Sequence, residues 1–320
     1  MKKKCFVGFD TSNYTTSLAV CDLDGKIVAN LKAPLPVASG ERGIRQSDAV
    51  FSHVKNLQGL CDRLSEALQA FEPIGVGVST RPRGVTGSYM PCFLSGVAAA
   101  HAFAAAKGLS VEEFSHQDGH VRAALYSSGE RERLIGGDFL AFHVSGGTTE
   151  MLLVHPSGEG FELTLVGETA DINAGQLIDR VGVMMGLQFP CGRELEALAV
   201  CGSFDAQRTK TVVRESDGII RCNLSGAENV AKKKLDEGSE KCEVAAYVFA
   251  TVCDTLIKMA EMAEKKYGKM PILFSGGVMS NRLMREKLSS RFDASFAEPE
   301  FSADNAAGIA LLCRDRILKK

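Results

Sequence analysis

Phe9-Asp10-Thr11-Ser12-Asn13-Tyr14-Thr15-Thr16-Ser17-Leu18-Ala19-Val20 and His143-Val144-Ser145-Gly146-Gly147-Thr148-Thr149-Glu150-Met151-Leu152-Leu153-Val154 lie over one another at a constant offset of 134 residues. Each reads as an apolar strand, a small polar turn and a second apolar strand. The first continues through an Asp24-Gly25 hairpin signal into a third run at 26–31, the second into a third run at 161–166. Helical patterns follow both. Such a repeat predicts a duplicated β-β-β-α unit. The chain is expected to be an α/β protein of two like domains, with a cleft between them and both turns directed at one ligand.

Outward from these turns, residues 48–70 place Val50, Val54, Leu57, Leu60, Leu64 and Leu68 at helical spacing. Residues 74–78 read as a short buried strand, and 92–107 as an alanine-rich, buried helix ended by Gly108. After the second strand trio, helices are expected at about 171–187, 192–201, 226–236 and 242–267. A strand at 271–274 and helices at 281–291 and 305–318 complete the chain. A third glycine turn, Ser275-Gly276-Gly277, sits between strand and helix, with Asn281 one turn further on. Backbone amides at such a turn attract phosphate-like anions. No Walker or dinucleotide glycine signature is present.

A length of 320 residues suits about two domains. Apolar residues at 45% and charged residues at 24% exclude a disordered chain. A net charge of −2 excludes nucleic-acid binding by bulk charge, so any such binding needs a local patch. Lys232-Lys233-Lys234, with Arg208, Lys210 and Arg214 upstream, is one basic cluster, read first as a solvated face. Ten cysteines contain no C-x-x-C pair, so reduced thiols of a cytoplasmic protein are expected. No signal segment and no apolar run of about 18 residues is seen, so no membrane span is expected.

His116-Gln117-Asp118-Gly119-His120 is the sharpest local feature. Histidines four apart on a helix present both imidazoles on one side, as two ligands of one metal require. Gln117 excludes the zinc-protease pattern, which needs a glutamate there. The best remote third ligand is Asp304, whose alternative role is an N-cap for the last helix. Asp179 sits among apolar neighbours; it would reach a ribose or amino group, or pair with Arg180 or Arg193. His53, His101, His143 and His155 are isolated and read as structural.

Taken together, these motifs resemble the TsaD-type tRNA threonylcarbamoyltransferases, once called glycoproteases or O-sialoglycoprotein endopeptidases, of the actin/sugar-kinase/Hsp70 superfamily. His116-Gln117-Asp118-Gly119-His120 is similar to the family's His-x-Glu-Gly-His motif. Val144-Ser145-Gly146-Gly147-Thr148-Thr149 is similar to Val-Ser-Gly-Gly-His-Thr, and 167–171 through Asp179 to a Gly-Glu-Ser-x-Asp helix. Pro190-Cys191-Gly192 stands at Pro-Gly-Gly, 275–282 at a Gly-Gly-Val-x-x-Asn loop, and 301–310 at an Asp-Asn-Gly segment. The resemblance implies two ribonuclease-H-like domains of the actin-like ATPase fold, expected as 1–115 with 304–320 and as 116–303. It implies a divalent metal, Fe2+ or Zn2+, on His116, His120 and Asp304. An adenylate or ATP-type nucleotide would touch Val144, Ser145, Gly146, Gly147, Asp179, Gly192 and Asn281, with Asp10 and Asp179 as catalytic carboxylates. The implied enzyme is an acyltransferase. It moves threonylcarbamoyl from threonylcarbamoyl-adenylate to the adenosine next to the tRNA anticodon. The implied partners are tRNA, an adenylate-forming enzyme and a paralogous actin-like subunit.

The sequence departs from that pattern at the same turns. Asn13 and Tyr14 stand where the family carries acidic residues, and Thr148 where it carries histidine. Arg81-Pro82-Arg83-Gly84 replaces an uncharged Gly-Pro-Gly-Leu turn. These changes leave open a divergent paralogue acting on another acceptor, a non-catalytic partner subunit, and a small-molecule kinase of the superfamily.

Overall fold

The computed structural model describes residues 2–12, 14–36, 44–157, 160–302 and 304–319. They form two compact units: Met1–Gly129 with Pro156–Glu162 and Glu300–Lys320, and Glu130–His155 with Leu163–Pro299. In the first, β1 (Lys3–Asp10), β2 (Thr15–Asp22) and β3 (Ile27–Pro34) make an antiparallel meander. β4 (Phe71–Arg81) pairs parallel with β1, and β5 (Val111–Ser115) parallel with β4. Its first helices are α1 (Gln46–Ala67), α2 (Phe93–Lys107) and α3 (His116–Ser128).

The second unit opens with the single turn α4 (Arg131–Leu134). Strands β6 (Phe139–Val144), β7 (Thr149–Ser157) and β8 (Gly160–Thr169) follow, then helices α5 (Ala174–Met184) and α6 (Gly192–Ala199). The hairpin β9 (Val212–Ser216)–β10 (Ile219–Asn223) leads to α7 (Ser225–Asp236) and α8 (Lys241–Tyr267). β11 (Ile272–Ser275), α9 (Arg282–Ser289) and β12 (Ala294–Phe296) close the unit. The short α10 (Pro299–Ser302) and then α11 (Ala307–Lys319) return to the first unit.

The first sheet runs β3-β2-β1-β4-β5, and the second β12-β11-β6-β7-β8-β10-β9. Five strands thus recur in one order, and β1 and β6 end at Asp10 and Val144, the offset of the repeat. β1 is buried on both faces, which is why it reads as an unbroken apolar run. Cys5, Val7 and Phe9 meet Leu57, Leu60 and Leu64 of α1 and Ala100 and Ala104 of α2. On the other face, Phe6 meets Ile309, Ala310 and Cys313 of α11.

Several expectations shift. β5, β9, β10 and β12 are short, and β5 carries Glu112 and Glu113 on its edge, so an alternating signal barely develops. α1 turns Val54 out to solvent, and α2 buries only one face, because alanine lacks the bulk that would mark a stripe. α5 starts at Ala174 rather than 171, because Asp171 binds Leu224 N, Ser225 N and Ser225 Oγ at the start of α7. The units divide after Gly129 rather than before His116, since α3 packs on α11. Asn13 lies outside the described residues. Among the described residues, no cysteine forms a disulfide. Burial pushes the Cys5, Cys21 and Cys253 thiols up to about 12, which keeps them protonated and unreactive. Among the described residues, no helix is long and apolar enough to cross a membrane.

Candidate functional site

Asp10 closes β1 without exposed surface. Its Oδ1 accepts from Ser12 N at 2.7 Å, and its Oδ2 bonds His116 Nδ1 at 2.7 Å. With Nδ1 engaged, the ring offers Nε2 to a ligand, as in carboxylate–histidine–metal arrangements. His116 is the first residue of α3, and a capping box between Ser115 and Asp118 fixes that helix start. One turn on, the His120 ring lies edge-on to His116, with centroids 4.2 Å apart. Asp304 Oδ1 is 3.5 Å from His116 Nε2 and 3.4 Å from His120 Nε2.

Close packing of α3 on α11 creates this convergence. A Cβ on Gly308 would overlap the Gly119 carbonyl, and one on Gly119 would come within 2.9 Å of Ile309 Cδ1. The ion pair Arg122 Nε–Asp315 Oδ2, at 2.9 Å, ties the same helices further along. Asp304 does not cap α11. Asn305 Oδ1 accepts from Ala307 N at 3.1 Å, which leaves the Asp304 carboxylate to the histidines.

Burial opposes ionisation of Asp304, but hydrogen bonds from His116 and His120 and their charge hold its carboxyl well below the usual range. Burial likewise disfavours the His116 imidazolium, yet Asp10 and then Asp304 outweigh it and raise its pKa well above the ordinary value. Two carboxylates therefore draw positive charge to one spot. The donor set fits a divalent cation. The three ligand atoms lie within 4.8 Å of one another. Bonds of about 2.1 Å at tetrahedral angles put neighbouring ligand atoms roughly 3.4 Å apart, the spacing of Asp304 Oδ1 from each imidazole Nε2. Two imidazoles and one carboxylate leave positions open, as catalytic centres do and closed structural sites do not.

In the second unit, the carboxyl ends of β6 and β11 carry the glycine turns. Ser145 Oγ accepts from Gly147 N at 3.2 Å and Thr148 N at 3.1 Å, which folds the first turn and leaves Gly146 and Gly147 exposed. Gly175, at the start of α5, sits on it: a Cβ there would approach Gly146 N to 2.6 Å. Gly276 backs on Val144 with φ +97, so these two turns lie side by side. Asn281 Oδ1 accepts from Met284 N at 2.9 Å and caps α9, while its buried Nδ2 has no partner among the described residues. Asp179 pairs with neither Arg180 nor Arg193; its Oδ1 accepts from Cys191 N at 2.8 Å, beside Gly192 at the start of α6. Burial raises its pKa.

The sequence model of the TsaD family, described as tRNA N6-adenosine threonylcarbamoyltransferase, matches residues 28–311. The tRNA N6-adenosine threonylcarbamoyltransferase of Streptococcus pneumoniae (strain ATCC 700669 / Spain 23F-1) is 30% identical over 322 residues, covering 97% of this chain and 91% of that protein. The chain belongs to the TsaD family.

Solved structures add the fold of this TsaD-family chain. HypF of T. kodakarensis superposes with a TM-score of 0.62 at 11% identity, over 99% of this chain and 48% of that one. Component A of the Acidaminococcus fermentans (R)-2-hydroxyglutaryl-CoA dehydratase gives 0.53 at 14%, over 98% and 99%. The fold is thus the duplicated actin-like α/β fold that the repeat and the resemblance led us to expect. Sequence reasoning missed the link from Asp10 to His116: 106 residues separate them, and only the β1–β4–β5 order makes them neighbours. It also passed over Ser12 and Ser79, whose buried hydroxyls have no partner among the described residues.

Proposed function

We propose that this TsaD-family chain is a metal-dependent tRNA N6-adenosine threonylcarbamoyltransferase. It acts on threonylcarbamoyl-adenylate supplied by a separate adenylate-forming enzyme, alongside a paralogous actin-like subunit. One observation carries the reading: in a member of this family, His116 Nε2, His120 Nε2 and Asp304 Oδ1 converge within 4.8 Å. These three residues would hold Fe2+ or Zn2+, which supplies Lewis acidity to carbamoyl or phosphate oxygens.

Asp10 keeps the His116 ring turned so that Nε2 faces the cluster, and its full burial holds that orientation against thermal motion. On the second unit, the exposed Gly146-Gly147 turn admits a nucleotide close to the backbone, and Asn281 Nδ2 offers it an unused donor. Asp179 anchors the chain that leads into Gly192. In the reaction the exocyclic amine of adenosine forms a bond to the carbamoyl carbon. The carbon–oxygen bond to AMP breaks, AMP leaves and the amine gives up a proton. Much of the acceleration comes from positioning, because both reactants are held rather than met by diffusion.

The test supplies the purified chain with threonylcarbamoyl-adenylate, its partner proteins and unmodified tRNA, and measures modified adenosine by mass spectrometry. Modification that disappears in the His116→Ala/His120→Ala variant, together with one bound metal per chain in the parent, is the expected outcome. No modified adenosine with the full partner set overturns the reading.

A further inference from the structure

Three parallel strands of the first unit end on one rim. β1 closes with Asp10, β4 with Arg81, and β5 with Ser115, which hands the chain to His116. In α/β sheets of this kind, ligands gather outside the carboxyl ends of the strands. This rim holds polar groups that the fold leaves unsatisfied. Ser12 and Ser79 are 1% and 0% exposed, and neither hydroxyl has a hydrogen-bond partner among the described residues. Buried hydroxyls are almost always paired, so two orphans on neighbouring strand ends mark a place for an outside partner.

Arg81 follows Ser79 by two residues and closes β4. Its Cα pairs in register with Ser115, and the next carbonyl, that of Pro82, accepts from Gln117 N at 3.1 Å. The arginine is therefore rooted against the first turn of α3, near Asp118, whose carboxyl burial pushes up and the Ser115 hydrogen bonds and the Arg81 charge only partly bring back. Arg81 Nη1 donates to Thr80 Oγ1 at 2.9 Å, and no carboxylate among the described residues pairs with the guanidinium. About four of its five N–H donors stay available. A divalent ion on the histidines would have its charge balanced by Asp10 and Asp304, so Arg81 would add the attraction for an anionic group that the ion itself does not bind.

We infer that Arg81, with the hydroxyls of Ser12 and Ser79, forms a receptor for an anionic group, carboxylate or phosphate, of the ligand handled at the His116/His120/Asp304 cluster. A planar guanidinium matches either group with two parallel hydrogen bonds, which a lysine does not. The uncharged turn expected at 81–84 from the family pattern has no such fork, so the selectivity is this chain's own. The inference rests on the cluster of the proposed function and not on tRNA as acceptor.

Calorimetric titration of the metal-loaded protein with N-carbamoyl-L-threonine, and separately with inorganic phosphate, tests it. At least one anion is expected to bind the parent, and Arg81→Met to weaken that one about tenfold to a hundredfold. Arg81→Lys should recover part of the loss, and Ser12→Ala/Ser79→Ala should cost a few-fold, with bound metal per chain unchanged throughout. A loss confined to N-carbamoyl-L-threonine assigns a carboxylate; one confined to phosphate assigns a phosphate. Equal affinity of parent and Arg81→Met for both anions, or no binding of either, overturns the inference. If the parent takes up no metal but Arg81→Met still loses the anion, the metal centre fails and the anion receptor stands.

Discussion

The turn after β1 and the turn after β6 hold matching places in the two halves of the repeat, yet they do opposite things. Asp10-Thr11-Ser12 is fully buried, and each of the three is locked in place: Asp10 on His116, Thr11 Oγ1 on the Cys92 carbonyl at 3.0 Å, Ser12 N on Asp10. Ser145-Gly146-Gly147 is open, and its glycines have no side chains to occupy the space above them. The first turn orients a side chain that binds; the second clears backbone for something to come close. A duplicated scaffold thus acquires two chemistries through the residues of two turns and the element that follows the outermost parallel strand. After β5 comes a helix that starts with histidine, whereas after β12 comes the short α10.

The comparison breaks most severely at the α3–α11 crossing. Gly308→Val drives a side chain into the Gly119 backbone and is expected to cost about 3 kcal/mol in denaturant unfolding. The same variant should abolish metal uptake by elemental analysis. Next in size, Asp10→Asn leaves the fold intact but removes the charge behind His116. Metal affinity should fall about tenfold to a hundredfold, with AMP binding unchanged in the same titration. In the second unit, Asn281→Asp keeps the helix cap and deletes the Nδ2 donor. AMP affinity should drop about tenfold, and the carboxylate in this buried position should cost about 1–3 kcal/mol in denaturant unfolding.

Asp171 sharpens the contrast from the stability side. Burial opposes its ionisation, but hydrogen bonds from Leu224 N, Ser225 and Ile172 N lower its pKa to about 2. Its folded value lies below the unfolded one, so its contribution is present above about pH 4 and disappears as pH falls through 2. Solvent screening at this exposed position reduces the contribution to about 1 kcal/mol. Asp171→Asn should therefore lower stability by that amount at pH 7 and by almost nothing at pH 2. The smallest effect belongs to Gly147→Ala, where a Cβ meets nothing within 4 Å, so that stability should stay within about 0.5 kcal/mol.

Much of this is legible in the sequence alone. The offset between Asp10 and Val144 marks strand ends, and the His116–His120 spacing marks one helix face. The parts that stayed hidden share a physical cause. β5 is five residues long with two glutamates, too short and too charged to stand out, yet it is the strand that delivers His116 to Asp10. Arg81 registered only as a departure from a pattern, because a single cation in a turn carries no periodicity.

The amino-acid order by itself determined the repeat, the α/β class and the histidine pair, because strand alternation and helical spacing are local rules that a chain cannot conceal. The third dimension decided which carboxylates those histidines meet. Asp10 and Asp304 arrive from opposite ends of the chain, one on the parallel β1–β4–β5 order, the other on a glycine-to-glycine crossing of α3 and α11. Contacts across 106 and 184 residues leave no local trace; they exist only once the backbone has closed on itself.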